Sequence, residues 1–177
     1  MRRVTRITLS AIVLTAILAL MLTSGVGCSG SPPPPPAMSV YYQIGQAVQT
    51  SQEVLTVVST QRVSQIKKPL GLGSLTSSTV LPAPGTTFLV VEVSVTNVAK
   101  SGSLSISYKY FSMVDSQGRV WPCLGYPGYN PYPSRKLAPS QSAYGYIYFN
   151  PLATATSLQL SCILQGSPPV RGVWQIP

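Results

Sequence analysis

The sequence reads as an all-β chain, an antiparallel β-sandwich of seven or eight strands behind an N-terminal signal or anchor segment. Three observations predict it. Leu89, Val91, Val93 and Val95 alternate with Val90, Glu92, Ser94 and Thr96, the period of two that a strand with one buried face requires. Comparable short runs recur between clusters of Pro, Gly, Ser and Asn, the spacing of sandwich strands and their turns. No stretch after residue 40 carries a helical period.

The first 28 residues are set apart by charge and hydropathy. Arg2, Arg3 and Arg6 precede Ile7 to Leu22, sixteen residues interrupted only by Thr8, Ser10 and Thr15, which is the layout of a secretory signal. As a helix this run spans about 24 Å, short of a hydrocarbon core of about 30 Å. Extension through Gly27 reaches a marginal span, so a retained anchor stays open beside cleavage. Val26, Gly27 and Cys28 resemble the end of the lipobox of bacterial lipoproteins, with Gly25 standing where Leu is usual. That resemblance implies a lipid on Cys28 and attachment to a membrane; cleavage without lipid implies secretion. All three fates place the rest of the chain outside the cytoplasm.

Residues 29–39 contain Pro32 to Pro36, and consecutive prolines adopt the extended polyproline II helix, so this is a linker of roughly 15 Å or more. Residues 40–177 then form one domain. Its strand candidates are Ile44–Gln49, Glu53–Val63, Phe88–Asn97, Ser103–Asp115, Gln141–Asn150, Ser157–Leu164 and Val170–Ile176, with a further strand ending near Trp121. Ser103–Asp115 changes phase between Leu104/Ile106 and Phe111/Met113, which a bulge near Tyr108 to Tyr110 reconciles. Asp115 to Gly118 reads as a tight turn with Gly118 at positive φ. Ala143, Gly145, Ile147 and Phe149 make one face of their strand, and Tyr144, Tyr146 and Tyr148 the other, where cross-strand packing with Tyr108 and Tyr110 accounts for them and an aromatic patch for assembly or recognition is the alternative. Lys67 and Lys68 fall in a long segment read as solvated loop.

Composition narrows function. Three acids (Glu53, Glu92, Asp115) and no histidine leave the usual acid–base and zinc-binding inventory nearly empty, so neither an enzyme nor a metal or cofactor site is expected. Removing the three leading arginines lowers the formal charge from +9 to +6, and the remaining cations form no run longer than two. That is a weak footprint for nucleic acid, and a general attraction to anionic surfaces fits better.

The order of Gly45 before EVLTVVS, then FLVVEVSVTN, FSMVDSQGRVW and LAPSQSAYGYIYF resembles an immunoglobulin-like domain found in prokaryotic secreted proteins and lipoproteins, related in fold to a mycobacterial secreted immunoprotective antigen. The resemblance spans most of Tyr42 to Gln165. It rests on Thr96-Asn97, on Phe111, Asp115 and Gly118, and on Gly145, Ile147 and Phe149, with Ser140 where that family often has Gly. It implies an immunoglobulin-like sandwich and adds no catalytic residue.

Two features of the domain suggest chemistry. If Cys28 takes lipid, Cys123 and Cys162 remain as an even pair in an oxidising compartment and are expected to form a disulfide; a buried Cys162 and a free Cys123 are the alternative. Tyr126, Tyr129 and Tyr132 recur every three residues among Pro127, Pro131 and Pro133, the period of polyproline II, followed by Arg135 and Lys136. Extended, the loop sets three rings along one edge as a binding surface; folded down, the rings cover an end of the sandwich. The function expected is a non-enzymatic, envelope-anchored module that binds an envelope protein or an anionic or saccharide polymer. A structural component of the envelope and an accessory domain to a separate enzyme are the alternatives.

Overall fold

A computed structural model describes residues 38–69 and 77–177. The segment read as an export signal, Cys28 and the proline run lie outside the described residues, among which no helix is long and apolar enough to cross a membrane. In chain order the strands are β1 (Met38–Tyr42), β2 (Ala47–Gln49), β3 (Glu53–Val63), β4 (Ile66–Pro69), β5 (Ser77–Val80), β6 (Phe88–Asn97) and β7 (Leu104–Ile106). After a one-turn 3-10 helix at Tyr108–Tyr110 come β8 (Phe111–Val114), β9 (Val120–Pro122), β10 (Leu124–Gly125), β11 (Arg135–Leu137), β12 (Ser142–Phe149), β13 (Leu158–Leu164) and β14 (Val170–Ile176). Fourteen strands among the described residues exceed the seven or eight expected, because several are short and one hairpin, β4–β5, occupies the segment read as loop.

Two five-stranded sheets form the sandwich. One has the order β1-β14-β13-β8-β9 and the other β10-β12-β6-β3-β2. Strand pairing in both is antiparallel except that β1 runs parallel to β14 from Met38↔Val170 to Tyr42↔Trp174. The core draws Phe111, Met113, Leu160, Leu164 and Trp174 from the first sheet and Leu55, Val91, Val93, Ile147 and Phe149 from the second. The alternation in β6 appears as expected, with Leu89, Val91, Val93 and Val95 buried and their neighbours half-buried.

Two irregularities redirect side chains. The phase change after β7 is produced by the 3-10 turn rather than by a bulge, and it hands β7 to a separate two-stranded sheet with β11. A register shift does occur in β3, between Val57 and Ser59. Up to Val57 the odd-numbered residues face the core; beyond it Gln61 pairs with outward-facing Val90 and Val63 with Phe88, so one extra residue turns Gln61 and Val63 to the outer face.

Asn97 explains why the β6 strand ends as it does. It is fully buried, its side-chain amide donates to the Leu137 carbonyl at 2.9 Å, and its Oδ1 accepts from the Ala99 N–H at 3.0 Å. Its backbone carbonyl accepts from the Ser140 N–H at 2.8 Å, and Ser140 holds φ 65, the left-handed conformation that glycine adopts without strain. Ser140 therefore keeps the turn at a cost in backbone strain. Gly118 has φ 75, as the tight turn demanded.

Candidate functional site

The three tyrosines of the loop after β10 do not share one edge. Tyr126 is half-buried, Tyr129 is 64% exposed and Tyr132 is 5% exposed. Tyr132 enters the core and meets Phe111 edge-on, centroids 5.8 Å apart. The loop reaches this position by docking beside β12. The Tyr146 N–H donates to the Asn130 carbonyl at 3.0 Å, and the Tyr132 N–H donates to the Tyr146 carbonyl at 2.9 Å. A Cβ on Gly145 would stand 2.7 Å from the Tyr132 Cα, so the glycine of the Tyr144-Gly-Tyr146 run is the slot through which the loop backbone passes.

Tyr126 and Tyr129 stay on the outer face of the second sheet. The Tyr126 ring packs against Tyr146 at 5.5 Å and Tyr148 at 6.4 Å, and Tyr148 in turn stands edge-on to Phe88 at 5.4 Å. The partner of the outward tyrosines is thus Tyr126 rather than the expected Tyr108 and Tyr110, which the 3-10 turn takes out of the strand. Burial raises the Tyr126 phenol above its usual pKa, and neighbouring Tyr146 adds to the effect, so it stays neutral and able to donate.

Beside these rings opens a groove of about 380 Å³, within the usual range of roughly 300–1,000 Å³ for ligand pockets. Tyr126, Tyr129 and Tyr146 form one wall; Gln61, Gln65 and Lys67 supply polar groups, with Val90 in the lining. Each arrives by a separate device: Gln61 by the β3 bulge, Lys67 by the β4–β5 hairpin, Tyr146 by strand alternation and the two loop tyrosines by the docking of residues 130–132. Sequence reasoning found Tyr126 and Tyr129. Tyr146 belongs to the row Tyr144, Tyr146 and Tyr148 whose alternative reading is an aromatic patch, Lys67 falls in the segment read as loop, and Gln61 and Gln65 carry no sequence signal. Arg135 and Lys136 lie on β11, exposed, and do not line the groove.

Cys123 and Cys162 are free thiols, both buried, where counting had suggested a bond. Cys162 lies in β13 opposite Phe111, whereas Cys123 stands where the chain crosses between sheets, after Pro122, which pairs with Ser112 of β8, and before Leu124, which pairs with Tyr148 of β12. Burial pushes the Cys123 thiol up to about 12 despite a backbone hydrogen bond at Tyr148, and raises Cys162 as well, aided by Glu53 and Cys123. Neither is a ready thiolate.

The three acids occupy separate structural roles. Burial raises Glu53 to about 6 although the Gln165 N–H, donating to its carboxylate, pulls the other way. Thr50 ties the same corner together: its Oγ1 accepts from the Glu53 N–H at 3.0 Å and donates to the Gln165 carbonyl at 2.6 Å. For Asp115, burial alone would raise the pKa, but N–H groups of Arg119 and Gln117, the Arg119 side chain at 2.7 Å and the Trp121 indole together hold it below the usual range. Glu92 accepts from the Ser59 hydroxyl at 2.9 Å and lies opposite Tyr146 in register. Among the described residues no three His, Cys, Asp or Glu gather as a metal site.

No sequence-family model and no curated protein matches the chain. Solved structures do. An uncharacterized β-sandwich protein of Clostridium difficile is similar at 11% identity and TM-score 0.55, over 82% of this chain and 99% of that one. A candidate lipoprotein of Bacillus subtilis is similar at 11% identity and TM-score 0.54, over 73% of this chain but only 38% of that one. The secreted protein MPT63 of Mycobacterium tuberculosis is similar at 14% identity and TM-score 0.50, over 79% of this chain and 99% of that one. In line with the resemblance read from the motifs, the chain has the β-sandwich fold of these bacterial proteins.

Proposed function

We propose that the protein is an extracytoplasmic module, held at a membrane by lipid on Cys28, that binds an envelope partner or surface polymer and catalyses no reaction itself. The observation that carries this reading is the tyrosine-walled groove on a rigid sheet face, while each of the three acids is held by hydrogen bonds of the fold and none lines the groove among the described residues. The Tyr126 ring, packed against Tyr146 and Tyr148, and Gln61, placed by strand register, make a preorganised part of a recognition surface. The charged start, apolar run and Val26-Gly27-Cys28 supply the address. A secreted protein and a candidate lipoprotein among the structural neighbours fit that address.

The test has two parts. Intact mass of the protein recovered from membranes should show a chain beginning at Cys28 with a diacylglycerol adduct, and Cys28→Ser should lose it; a chain still beginning at Met1 defeats the anchor. Retention of full-length protein on isolated envelope fractions should fall at least about fivefold in the Tyr126→Ala/Tyr129→Ala double variant, the loss expected for two packed aromatic contacts. Unchanged retention rules out the groove as the binding surface.

A further inference from the structure

We infer that the groove takes a neutral saccharide chain, a deepening that rests on the binding-module reading above. Three observations select this ligand over an anionic polymer. The first is shape and surface. Tyr129 is 64% exposed at the groove mouth, while Tyr126 and Tyr146 stand 5.5 Å apart behind it at a fixed 47° tilt. An exposed tyrosine ring offers a flat apolar face for the C–H face of a pyranose and a hydroxyl at its edge. The groove is open along one side of the sheet, so a chain can lie in it without being threaded.

The second is the polar inventory. Gln61 and Gln65 each carry a side-chain carbonyl and an NH2 group, so they accept and donate at once, which matches a hydroxyl that must do both. Tyr126, with its raised pKa, keeps its proton and has the same dual character. A site for carboxylates or phosphates presents donors almost alone.

The third is charge. Lys67 is the one charged residue among the described residues that line the groove, and Glu92 stands on the same outer face of β6, opposite Tyr146 and two residues from the groove residue Val90. The described lining thus carries a formal charge of +1, against +9 for the chain as a whole. Of the other cations, Arg62 donates to the Ala155 carbonyl at 2.9 Å, Arg135 and Lys136 sit on β11, and Lys68, next to Lys67 on β4, does not line the groove. Strands of single-stranded nucleic acid also stack on aromatics, but they need a basic track that this patch lacks.

The experiment is calorimetric titration of the full chain, in a detergent without a sugar headgroup, with neutral cello-, xylo-, manno- and chito-oligosaccharides, and with oligogalacturonate and a deoxythymidine oligomer as anionic probes. At least one neutral series should bind, with affinity little changed by salt, since no charge pair carries it. Tyr129→Ala should weaken that binding about fivefold or more, and Gln61→Ala should weaken it by a smaller factor. Tyr41→Ala, which removes an equally exposed ring from the other sheet, should leave it unchanged. Binding of the galacturonate or the deoxythymidine oligomer in preference to every neutral series overturns the inference, as does neutral binding that survives Tyr129→Ala, or no binding to any neutral series. If envelope retention still depends on Tyr126 and Tyr129 while all neutral oligosaccharides fail, the module reading stands and the saccharide does not.

Discussion

Tyr129 and Tyr132 lie three residues apart in one loop and meet opposite solvents. Tyr129 stands in water at the groove mouth, while Tyr132 is enclosed against Phe111 with its hydroxyl pKa raised by burial, Cys162 and Glu53. The difference comes from neither ring but from β12. Gly145 leaves a hole on the inner face that the Tyr132 backbone crosses, and the Tyr146 backbone pins the loop on either side of that crossing. One loop therefore serves two purposes: its second half closes the core, and its first half, fixed by that closure, becomes a surface.

Filling the hole should break this arrangement most severely. Gly145→Ala places a methyl 2.7 Å from Tyr132 backbone atoms that have no room to retreat, and should cost about 3 kcal/mol or more of unfolding free energy by chemical denaturation, with loss of envelope binding as the loop lifts. Binding that survives such destabilisation would mean that the loop's two halves are independent.

Tyr132→Ala should cost about 3 kcal/mol through the cavity it leaves, whereas Tyr129→Ala should stay within about 0.5 kcal/mol of the parent in the same denaturation assay. Equal effects at the two positions would mean that the two rings do not differ in what they contribute to the core.

The Glu53 corner, which faces the buried half, gives a pH signature. Its folded pKa is raised from 4.5 to about 6, so in that window the folded state binds more protons than the unfolded one. Stability from this group is fully present below pH 4.5 and is lost as pH rises through 6, by up to about 2 kcal/mol. Glu53→Gln keeps an acceptor for the Gln165 N–H and should flatten that part of the stability profile, raising Tm at pH 8. A modest effect of the opposite sign belongs to the turn anchored by Asn97: Ser140→Gly should stabilise by about 0.5–1 kcal/mol by relieving φ 65.

How far the fold and the groove were legible in the sequence differs between the same two regions. The strands of the core announce themselves because burial of one face forces a period of two, as in Leu89 to Val95 and Ala143 to Phe149. The loop does not. A tyrosine every third residue implies a common edge only if the backbone is uniformly extended, and Asn130, at φ 57, turns it. The hole that admits Tyr132 is made by a residue thirteen positions later, information that no local pattern carries. The hairpin that brings Lys67 was hidden because Ile66–Pro69 and Ser77–Val80 show neither alternation nor apolar character beyond their outer residues. The outward turn of Gln61 depends on a register slip at Val57/Ser59 that the apolar run of β3 gave no reason to expect.

The parallel pairing of β1 with β14 has a mechanical consequence. β1 is the strand nearest the predicted tether, and it is joined to the last strand of the domain through five residue pairs aligned along its length. Tension drawn along β1 loads those pairs together in shear instead of peeling them one by one. The same strand also carries Tyr42 against buried Trp174, ring centroids 5.7 Å apart, so slippage must first drag a ring across the core. The domain is built to resist a pull along its first strand.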